Sequence, residues 1–415
     1  MVNDRALLTR LFEAAVAAAD PRGGISAHLP QRPRGRVVVI GAGKGSAQMA
    51  QAFEALWDGP LEGLVVTRYG YAVSCKRIKV VEAAHPVPDL AGLKAAQDVI
   101  ALVSSCGPDD LIVALMSGGG SALLPAPSEG LSLDDEVALN TALLASGAPI
   151  SVMNAIRGQI SRVKAGRLAG FAPHTPIWNL VVSDVPGDDP AQVASGPTVP
   201  SHTSRAEALA LIRDWRIDLR ESLMTWLATA PDVPTLQDEG RITTHVIASA
   251  RLSLEAAARA AKDEGIAAVI LSDQIEGEAR DVALVHGAIV AEVATRNRPF
   301  RAPVVILSGG ETTVTLRAKG RGGRNSEFAL ALALAAEGVD FTALLADTDG
   351  IDGSEDNAGA FVDGTTAARL RAIGFDPRTA LMGNDSYSAF AALGDLFVTG
   401  PTGTNVNDFR AVLVR

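Results

Sequence analysis

Short apolar runs alternate with helix-like segments along most of this chain, and this alternation limits the possible folds more than any other feature. The apolar runs are VVVIG (37–41), LVVT (64–67), LIVALMS (111–117), LVVSD (180–184), THVIAS (244–249), AAVILS (267–272), PVVILSGG (303–310), FTALLADTDG (341–350) and LFVTG (396–400). Between them lie helical patterns such as AQMAQAFEALW, LSLEAAARAAKDEG and SEFALALALAAEG. Continuous apolar runs are typical of strands covered by helices on both faces. The pattern therefore predicts an α/β fold with parallel, doubly wound, Rossmann-like sheets.

The chain has 415 residues, which is long for a single hydrophobic core and favours two domains. The best candidate for a linker is TAPDVPTLQDEGR (229–241), which has two prolines and no apolar periodicity. A cut there predicts an N-terminal α/β domain over residues 1–235 and a C-terminal α/β domain over residues 236–415.

Composition narrows the classes of function. The net charge of −10 argues against a nucleic-acid-binding surface. Cys75 and Cys106 are the sole cysteines and have no metal-ligand spacing, so the chain suits a reducing cytoplasm. The apolar runs are far shorter than a membrane span. The N-terminal segment predicts an amphipathic helix that is capped near Asn3 or Asp4 and stops at Pro21, not a signal peptide.

A glycine-rich loop, GAGKGS, follows the first apolar run and allows three interpretations. The dinucleotide fingerprint is incomplete, since Ser46 occupies the third glycine position and no acid ends the next strand. The P-loop pattern also fails, because Val38 and Gly45 stand where it needs glycine and Ser or Thr. A tight turn without a ligand remains possible. Lys44, between Gly43 and Gly45 at a predicted helix start, favours a bound anion.

Two further segments of the first half are candidate anion sites. MSGGGSALLPAP offers consecutive amides from Ser117 through Gly118, Gly119 and Gly120 to Ser121, which suits either a phosphate-binding loop or a flexible turn. In SVMNAIRGQISRVKAGRLAG, Asn154 and Arg157 lie one helical turn apart in a locally basic stretch. That stretch reads as a solvated helix face or as an anion-binding face.

Carboxylates and arginines gather after other strands. Asp184 ends one strand, and Asp188 and Asp189 follow across a Pro-Gly turn, an arrangement that suits either Mg²⁺ or ordinary turn chemistry. GRGGRN places Gly323, Arg324 and Asn325 just before a helix, where a guanidinium can bind carboxylate or phosphate. The segments DTDGIDG and GPTGTNVND add Asp349 and Asn405, which could bind a ligand or form turns.

Together these pieces resemble the glycerate kinases of the MOFRL type, which are often named hydroxypyruvate reductases. The matching stretches are GAGKGSAQMA, AAHPVPD, LMSGGGSALLPAP, NAIRGQISRVKAGRLA, LVVSDVPGDDPAQVASGPT, LSGGETTV, GRGGRNSEFALALA, DTDGIDGSEDNAGAFVDG and TGPTGTNVND. The resemblance implies two α/β domains flanking a cleft. It also implies phosphorylation of the 2-hydroxyl of D-glycerate by ATP with Mg²⁺, in a cytoplasmic monomer or homodimer with no nucleic-acid or membrane partner.

The same resemblance points to catalytic roles for Lys44, Asp184 and Arg324. Lys44 would meet the transferring phosphate, and Arg324 the glycerate carboxylate or the phosphates. Asp184 would orient the hydroxyl or bind Mg²⁺, with Asp188 and Asp189 as further metal ligands. The expected substrate- and nucleotide-binding residues are Gly43, Gly45, Ser117, Gly118, Gly119, Gly120, Ser121, Asn154, Arg157, Gly323, Asn325, Asp349 and Asn405.

Two alternatives stay open at the level of sequence. One is an NAD(P)H-dependent reductase of hydroxypyruvate or tartronate semialdehyde, which the incomplete glycine fingerprint disfavours. His85, in AHPVPD, reads as a rigid turn position and not as a proton donor. The other is a non-catalytic nucleotide-binding regulatory protein on the same scaffold, which the charged residues gathered at strand ends disfavour.

Overall fold

The computed structural model of the protein describes residues 3–231 and 239–415. The chain divides into two compact units. The first, here called the parallel unit, is Pro21–Ile247, and the second, the mixed unit, is Met1–Asp20 with Ala248–Arg415. The domain boundary predicted between residues 235 and 236 lies outside the described residues. The contacts that define the units group Met1–Asp20 with the C-terminal half of the chain.

Helices and strands alternate along both units, as the apolar pattern predicts. The helices are α1 (Asp4–Ala18), α2 (Pro21–Ala27), α3 (Ser46–Leu56), α4 (Leu90–Ser104), α5 (Gly120–Leu123), α6 (Leu133–Ala145), α7 (Ile150–Ile160), α8 (Arg167–Gly170), α9 (Arg205–Asp214), α10 (Glu221–Thr229), α11 (Ala250–Asp263), α12 (Ala279–Arg296), α13 (Arg324–Ala335), α14 (Thr366–Ala372), α15 (Pro377–Met382) and α16 (Ser386–Leu393). The strands are β1 (Val37–Ala42), β2 (Glu62–Arg68), β3 (Ile78–Ala83), β4 (Leu111–Met116), β5 (Ile177–Val182), β6 (Ile242–Ala248), β7 (Ala267–Ser272), β8 (Gly277–Glu278), β9 (Val304–Gly310), β10 (Thr312–Thr313), β11 (Phe341–Asp347), β12 (Gly359–Asp363), β13 (Leu396–Phe397) and β14 (Asp408–Val414). The predicted α/β class is confirmed.

The parallel unit is built on a six-stranded sheet in the order β3-β2-β1-β4-β5-β6. The pairs β1–β2, β1–β4, β2–β3 and β4–β5 are all parallel. Every residue of β1 and of β4 is buried, since these central strands are covered on both faces. The sequence order of the strands reverses between β1 and β4, and the loops that follow these two strands leave the sheet at its carboxyl edge. In such sheets that position is where ligands bind.

The sheet of the mixed unit has the order β13-β12-β11-β14-β9-β7 and is mostly antiparallel. β7 and β9 pair in parallel, whereas β9–β14, β14–β11, β11–β12 and β12–β13 are antiparallel. The expectation of a parallel sheet in both halves is therefore wrong for the second. The physical reason for the antiparallel pairing is that two parallel neighbouring strands need a long crossover between them, usually a helix. No helix joins the described β11 to β12.

The N-terminal helix α1 begins as the sequence predicts, with the Asn3 side chain accepting a hydrogen bond from the Arg5 amide. Its buried residues Leu7, Leu11 and Phe12 pack with α11 and one face of the mixed sheet. The opposite face of that sheet packs on α12 and α13. This packing is why the first residues of the chain belong to the same unit as its C-terminus.

A separate hydrophobic cluster in the parallel unit joins α6, α7, α9 and α10 through residues such as Leu139, Ile156 and Leu223. The main core of this unit lies around the sheet and α4. Within residues 3–231 and 239–415, none of the helices has the length and apolar character needed to cross a membrane.

Candidate functional site

The GAGKGS loop after β1 is a tight turn whose own amides are already hydrogen-bonded inside the protein. The donors and acceptors are Gly43 N to Val66 O (3.1 Å), Lys44 N to Gly118 O (2.8 Å), Gly45 N to Ser117 Oγ (3.0 Å) and Ser46 N to Gly43 O (3.2 Å). Gly43 has a φ of 141°, and a Cβ atom there would lie 2.1 Å from Ser117 Oγ. Glycine is therefore required for the close approach of the two loops. The amides of this loop do not form the cradle that a dinucleotide pyrophosphate would need.

The loop after β4 differs from the GAGKGS loop in the hydrogen bonding of its amides. Ser117 N donates to Ala42 O at 3.1 Å, which ties the start of the loop to β1. Beyond it, none of the described residues accepts a hydrogen bond from the backbone N–H groups of residues 118–121. Gly119 is in the left-handed region with a φ of 81°. Consecutive unpaired amides around such a residue are typical of anion-binding loops. Residues 118–121 are here called the amide nest.

Two basic groups reach the amide nest from other loops. The Cε of Lys44 and the Nε2 of His85 lie 3.2 Å and 3.0 Å from the position that a Cβ atom on Gly119 would occupy. Lys44 follows β1 and His85 follows β3, so both come from the carboxyl edge of the sheet. The side chain of Lys44 is thus beside the nest, where its charge favours an anion.

Asp184 approaches the same loop from the end of β5. A Cβ atom on Gly118 would lie 1.7 Å from Asp184 Oδ2, so the carboxylate packs directly against the Gly118 backbone. Asp188 has a φ of 56°, and Asp189 accepts hydrogen bonds from Ala191 N at 3.0 Å and Gln192 Nε2 at 3.3 Å. Asp184 is therefore the carboxylate at the nest, while Asp189 serves a turn.

The carboxylates do not form a complete protein cage for a metal ion. Among residues 3–231 and 239–415, no group of three or more His, Cys, Asp or Glu side chains is arranged to hold one. Mg²⁺ commonly binds through one or two carboxylates with substrate phosphates and water supplying the rest. Asp184 beside the amide nest fits that donor set.

Asn154 and Arg157 lie behind the amide nest in a buried hydrogen-bond chain. Ser121 Oγ is 2.7 Å from Ser195 Oγ, and Ser195 Oγ donates to Asn154 Oδ1 at 2.8 Å. Arg157 Nη1 donates to the same Asn154 oxygen at 3.0 Å, and Arg157 Nε donates to Asn140 at 2.7 Å. Burial lowers the pKa of Arg157 to about 10, with Glu136 partly opposing it.

Arg157 is 8% exposed, so the interpretation of this segment as a solvated face is wrong for this residue. Its role in ligand binding stays a prediction. Its guanidinium is engaged with two asparagines of the protein itself. The chain of contacts reaches the nest only through Ser195 and Ser121. Ser195 holds a left-handed φ of 60°, a strained conformation for a serine, which shows how closely this position is constrained.

In the mixed unit, Arg324 is surrounded by carboxylates. Its Nε, Nη1 and Nη2 atoms lie 2.6 Å from Asp408 Oδ1, 2.7 Å from Glu311 Oε1 and 2.7 Å from Asp347 Oδ2. Burial opposes the charge, but the carboxylates outweigh it and raise the pKa of Arg324 above its usual value. All three guanidinium nitrogens are thus already paired, and an added anion would have to share them.

Gly323 and Asn325 lie at the start of α13, where Asp352 serves as the acceptor for the first amides. Asp352 Oδ1 accepts from Asn325 N at 2.9 Å and its Oδ2 accepts from Ser326 N at 2.8 Å. A Cβ atom on Gly323 would lie 2.4 Å from Asp352 Oδ1. The helix terminus is therefore occupied by a protein carboxylate, and Asn325 Nδ2 donates to Asp408 at 3.0 Å.

Asp349 and Asn405 are brought together in the mixed unit, with Asn405 Nδ2 3.5 Å from Asp349 Oδ2. Asp349 Oδ1 accepts from Ile351 N at 2.8 Å, which is turn chemistry. Nearby, burial raises the pKa of Asp347 well above its usual value in spite of Arg324. The acidic segment therefore folds around the arginine and does not present a row of free carboxylates.

Known proteins resemble the chain over nearly its whole length. The model of a domain of unknown function (DUF4147) matches residues 7–228, more than half of the chain, and the model of the MOFRL family matches residues 304–408. A glycerate 2-kinase of Pyrococcus horikoshii is 41% identical over 388 residues, covering 92% of this chain and 88% of that protein. The chain belongs to the MOFRL-type glycerate kinase family.

A solved structure of a glycerate kinase from Thermotoga maritima matches this family member with a TM-score of 0.90, 36% identity and 99% coverage of both chains. A protein of Agrobacterium vitis that is named a hydroxypyruvate reductase is 51% identical over 418 residues, covering 100% of this chain and 95% of that one. Both names therefore occur among close relatives of this glycerate kinase family member.

Three side chains that lie beside the predicted site residues were not themselves predicted as site residues. His85 lies at the amide nest, although its neighbouring prolines indicated a turn. Asp408 and Arg410 are both buried beside Arg324, where Arg410 pairs with Asp408. A signal for the last pair is the i, i+2 spacing of Asp408 and Arg410 in the otherwise apolar run DFRAVLV, because i and i+2 share one face of a strand and charged residues are rarely buried unless paired.

Proposed function

We propose that this chain is a kinase that transfers the γ-phosphoryl group of ATP to the 2-hydroxyl of D-glycerate. The observation that carries the proposal is the amide nest of residues 118–121, with Lys44 and Asp184 beside it, at the point of the parallel sheet where the strand order reverses. Relatives named glycerate 2-kinase and D-glycerate 2-kinase support the choice of substrate.

The chemistry of phosphoryl transfer suits what the parallel unit offers. The transferred group carries negative charge that has to be positioned and neutralised, and little covalent chemistry is needed. In our proposal the unpaired amides of the nest hold phosphate oxygens, and the ammonium of Lys44 neutralises charge on the transferring group. The acceptor hydroxyl of glycerate is oriented by the carboxylate of Asp184.

Magnesium is part of the proposal. When bound, Mg²⁺ neutralises and orients the phosphate oxygens of ATP. We propose Asp184 as its protein ligand because its carboxylate lies against the backbone of Gly118. Asp188 and Asp189 remain candidates for a second ligand, although the two oxygens of Asp189 already accept hydrogen bonds.

In the mixed unit, we keep Arg324 as a charge-stabilising residue, with Gly323, Asn325, Asp349 and Asn405 as binding residues. The ion pairs of Arg324 limit how it could bind a substrate. The guanidinium would hold a substrate carboxylate or phosphate only while sharing its nitrogens with Asp347, Asp408 and Glu311.

The second candidate is an NAD(P)H-dependent reductase of hydroxypyruvate, and the name of the 51% identical relative favours it. Two structural features argue against it. The amides of the GAGKGS loop are paired within the protein, and β2 ends in Arg68 where a ribose-binding acid would stand. We therefore rank the reductase below the kinase.

The deciding experiment runs the purified full-length protein in two parallel assays. The first follows ADP formation with Mg-ATP and D-glycerate, and phosphorus NMR identifies the product. The second follows NADH and NADPH oxidation with hydroxypyruvate and with tartronate semialdehyde. We expect glycerate-dependent ADP, a 2-phosphoglycerate signal and no oxidation of either reductant.

A Lys44→Ala variant then tests the role of the nest, with the exposed Lys262→Ala as its matched control. Lys44→Ala should lower turnover at saturating ATP and glycerate, and Lys262→Ala should not. Reductant oxidation without ADP would replace the kinase with the reductase. Stoichiometric ATP binding without either reaction would instead support a non-catalytic nucleotide-binding regulatory protein.

A further inference from the structure

His85 is placed at the amide nest by the absence of a side chain on Gly119. Its Nε2 atom lies 3.0 Å, and its Cδ2 atom 3.2 Å, from the position of a Cβ on that glycine. Lys44 Cε is 3.2 Å from the same point. The imidazole edge that carries Nε2 and the side chain of Lys44 therefore border the same small volume beside Gly119.

The hydrogen bonding of His85 differs from that of His286, the buried histidine of the mixed unit. His286 is satisfied by the protein, with Nδ1 3.0 Å from Val282 O and Nε2 3.0 Å from Ser308 Oγ. Neither ring nitrogen of His85 has a hydrogen-bond partner among residues 3–231 and 239–415. His85 thus has hydrogen-bonding capacity that the protein itself does not use.

The charges around His85 decide which form of the ring is available. Burial, then Lys44 and then Arg68 lower the pKa of His85 to about 4. The ring is therefore neutral at physiological pH, with one nitrogen as donor and the other as acceptor. The neutral ring adds no repulsion to the positive charges of Lys44 and Arg68. An anion bound beside Lys44 would meet a hydrogen-bond donor together with positive charge.

We propose that His85 contacts the substrate anion bound at the amide nest, with its Nε2–H donating a hydrogen bond to an oxygen of that anion beside Lys44. This inference rests on the proposed function, since it takes the nest to be the anion site of the kinase. His85 is then a substrate-contacting residue. Its hydrogen bond orients the anion, whereas Lys44 supplies positive charge. The anion is a phosphate group or the carboxylate of the hydroxy acid, and the experiment distinguishes the two.

The direct test is ring-nitrogen NMR of the histidines in the full-length protein, with His85→Gln used to assign the His85 signals. Inorganic phosphate, ADP and D-glycerate are added separately, and binding of each is measured by calorimetry. We expect one of these probes to shift the Nε2 signal of His85 and to raise the pKa of its ring. The exposed His202 serves as the internal control and should not respond. Binding of all three probes without a change at His85 would overturn the proposal.

Kinetics give a second readout that a merely structural role would not produce. Loss of one hydrogen bond to a charged group predicts a decrease of about 10- to 100-fold in kcat/KM for His85→Phe. His85→Gln, which places an amide donor near the Nε2 position, should recover part of that loss, and His202→Gln should match the wild type. Equal kinetics for His85→Phe and wild type would overturn the proposal. If the wild type does not phosphorylate glycerate, the proposed function fails, and the NMR experiment with inorganic phosphate still decides whether His85 contacts a bound anion.

Discussion

Lys164 Nζ lies 2.5 Å from Glu136 Oε1 in the interior of the parallel unit, and each side chain is 2% exposed. The second carboxylate oxygen of Glu136 accepts a hydrogen bond from Ala126 N at 3.1 Å. The pair thereby joins α6 to the segment that follows α7. A buried pair of this kind is costly to break on one side, because the remaining charge is left without a partner in a medium of low polarity.

Replacing Lys164 by Met should lower the free energy of unfolding by about 3–5 kcal/mol, since the Glu136 carboxylate would remain buried and unpaired. The double variant Lys164→Met/Glu136→Gln should recover a large part of this loss, because the amide is neutral and can still accept from Ala126 N. Urea denaturation of the two single variants and the double variant gives the coupling between the residues. Additive losses would show that the pair is not coupled in solution.

Gly118→Ala should impair catalysis through Asp184. The new Cβ atom would lie 1.7 Å from Asp184 Oδ2, so the carboxylate has to move away from the nest. A displacement of about 1 Å at a reacting centre can lower turnover on the order of 100-fold. We expect a fall of that size in kcat for glycerate-dependent ADP formation.

The matched control is Gly23→Ala, since a Cβ atom there meets nothing within 4 Å. This variant should keep the activity of the wild type, and its stability should rise by up to about 1 kcal/mol because Gly23 lies in helix α2. Full activity of Gly118→Ala would mean that the position of Asp184 is not important for the reaction.

Arg324→Gln separates a structural role of this arginine from a ligand-binding role. Arg324 lowers the pKa of both Asp347 and Asp408, which burial alone would raise. Its removal raises both pKa values in the folded protein. The resulting loss of stability should therefore be at least about 3 kcal/mol at pH 7. It should shrink as pH falls, first as Asp347, whose pKa is raised, becomes protonated, and then as Asp408, whose pKa lies below its usual value, becomes protonated.

Chemical denaturation of the ligand-free protein at several pH values from 7 down to about 3 measures this effect. Arg321→Gln is the matched control from the same loop, because its partner Glu355 lies at an exposed ion pair of small energetic value. A pH-independent loss for Arg324→Gln would exclude the carboxylates as its cause.

The parallel unit was predictable from sequence because its central strands are continuous apolar runs. VVVIG and LIVALMS correspond to β1 and β4, which are wholly buried. The mixed unit was less predictable from the sequence. β14 lies between β9 and β11 at the centre of its sheet, yet its sequence DFRAVLV contains a buried arginine that interrupts the apolar pattern. Strand direction also depends on which distant segment pairs with which, and apolar runs carry no such information.

The candidate site shows a similar division. The glycine loops and Lys44 were recognisable because the residue types themselves indicate tight turns and anion chemistry. Which amides remain unpaired could not be predicted, since Gly45 N is satisfied by Ser117, a residue 72 positions away. The same limit applies to Arg157, whose buried partner Asn140 becomes its neighbour only through the packing of α6 against α7.

His286 should contribute a measurable pH dependence to the stability of the mixed unit. Burial lowers its pKa to about 4, with Arg410 adding to this and a hydrogen bond to Val282 O opposing it. The unfolded chain binds this proton near pH 6.5, whereas the folded protein binds it only near pH 4. The stabilisation is therefore fully present above pH 6.5 and is lost as pH falls toward 4, by about 3 kcal/mol in total.

Comparing the free energy of unfolding of wild type and His286→Gln at several pH values isolates this part from the titrating carboxylates. The difference between the two proteins should shrink or change sign by that amount between pH 7.5 and pH 4, whereas His202→Gln, at an exposed position, should follow the wild type throughout. A constant difference across that range would mean that His286 titrates alike in the folded and unfolded chains.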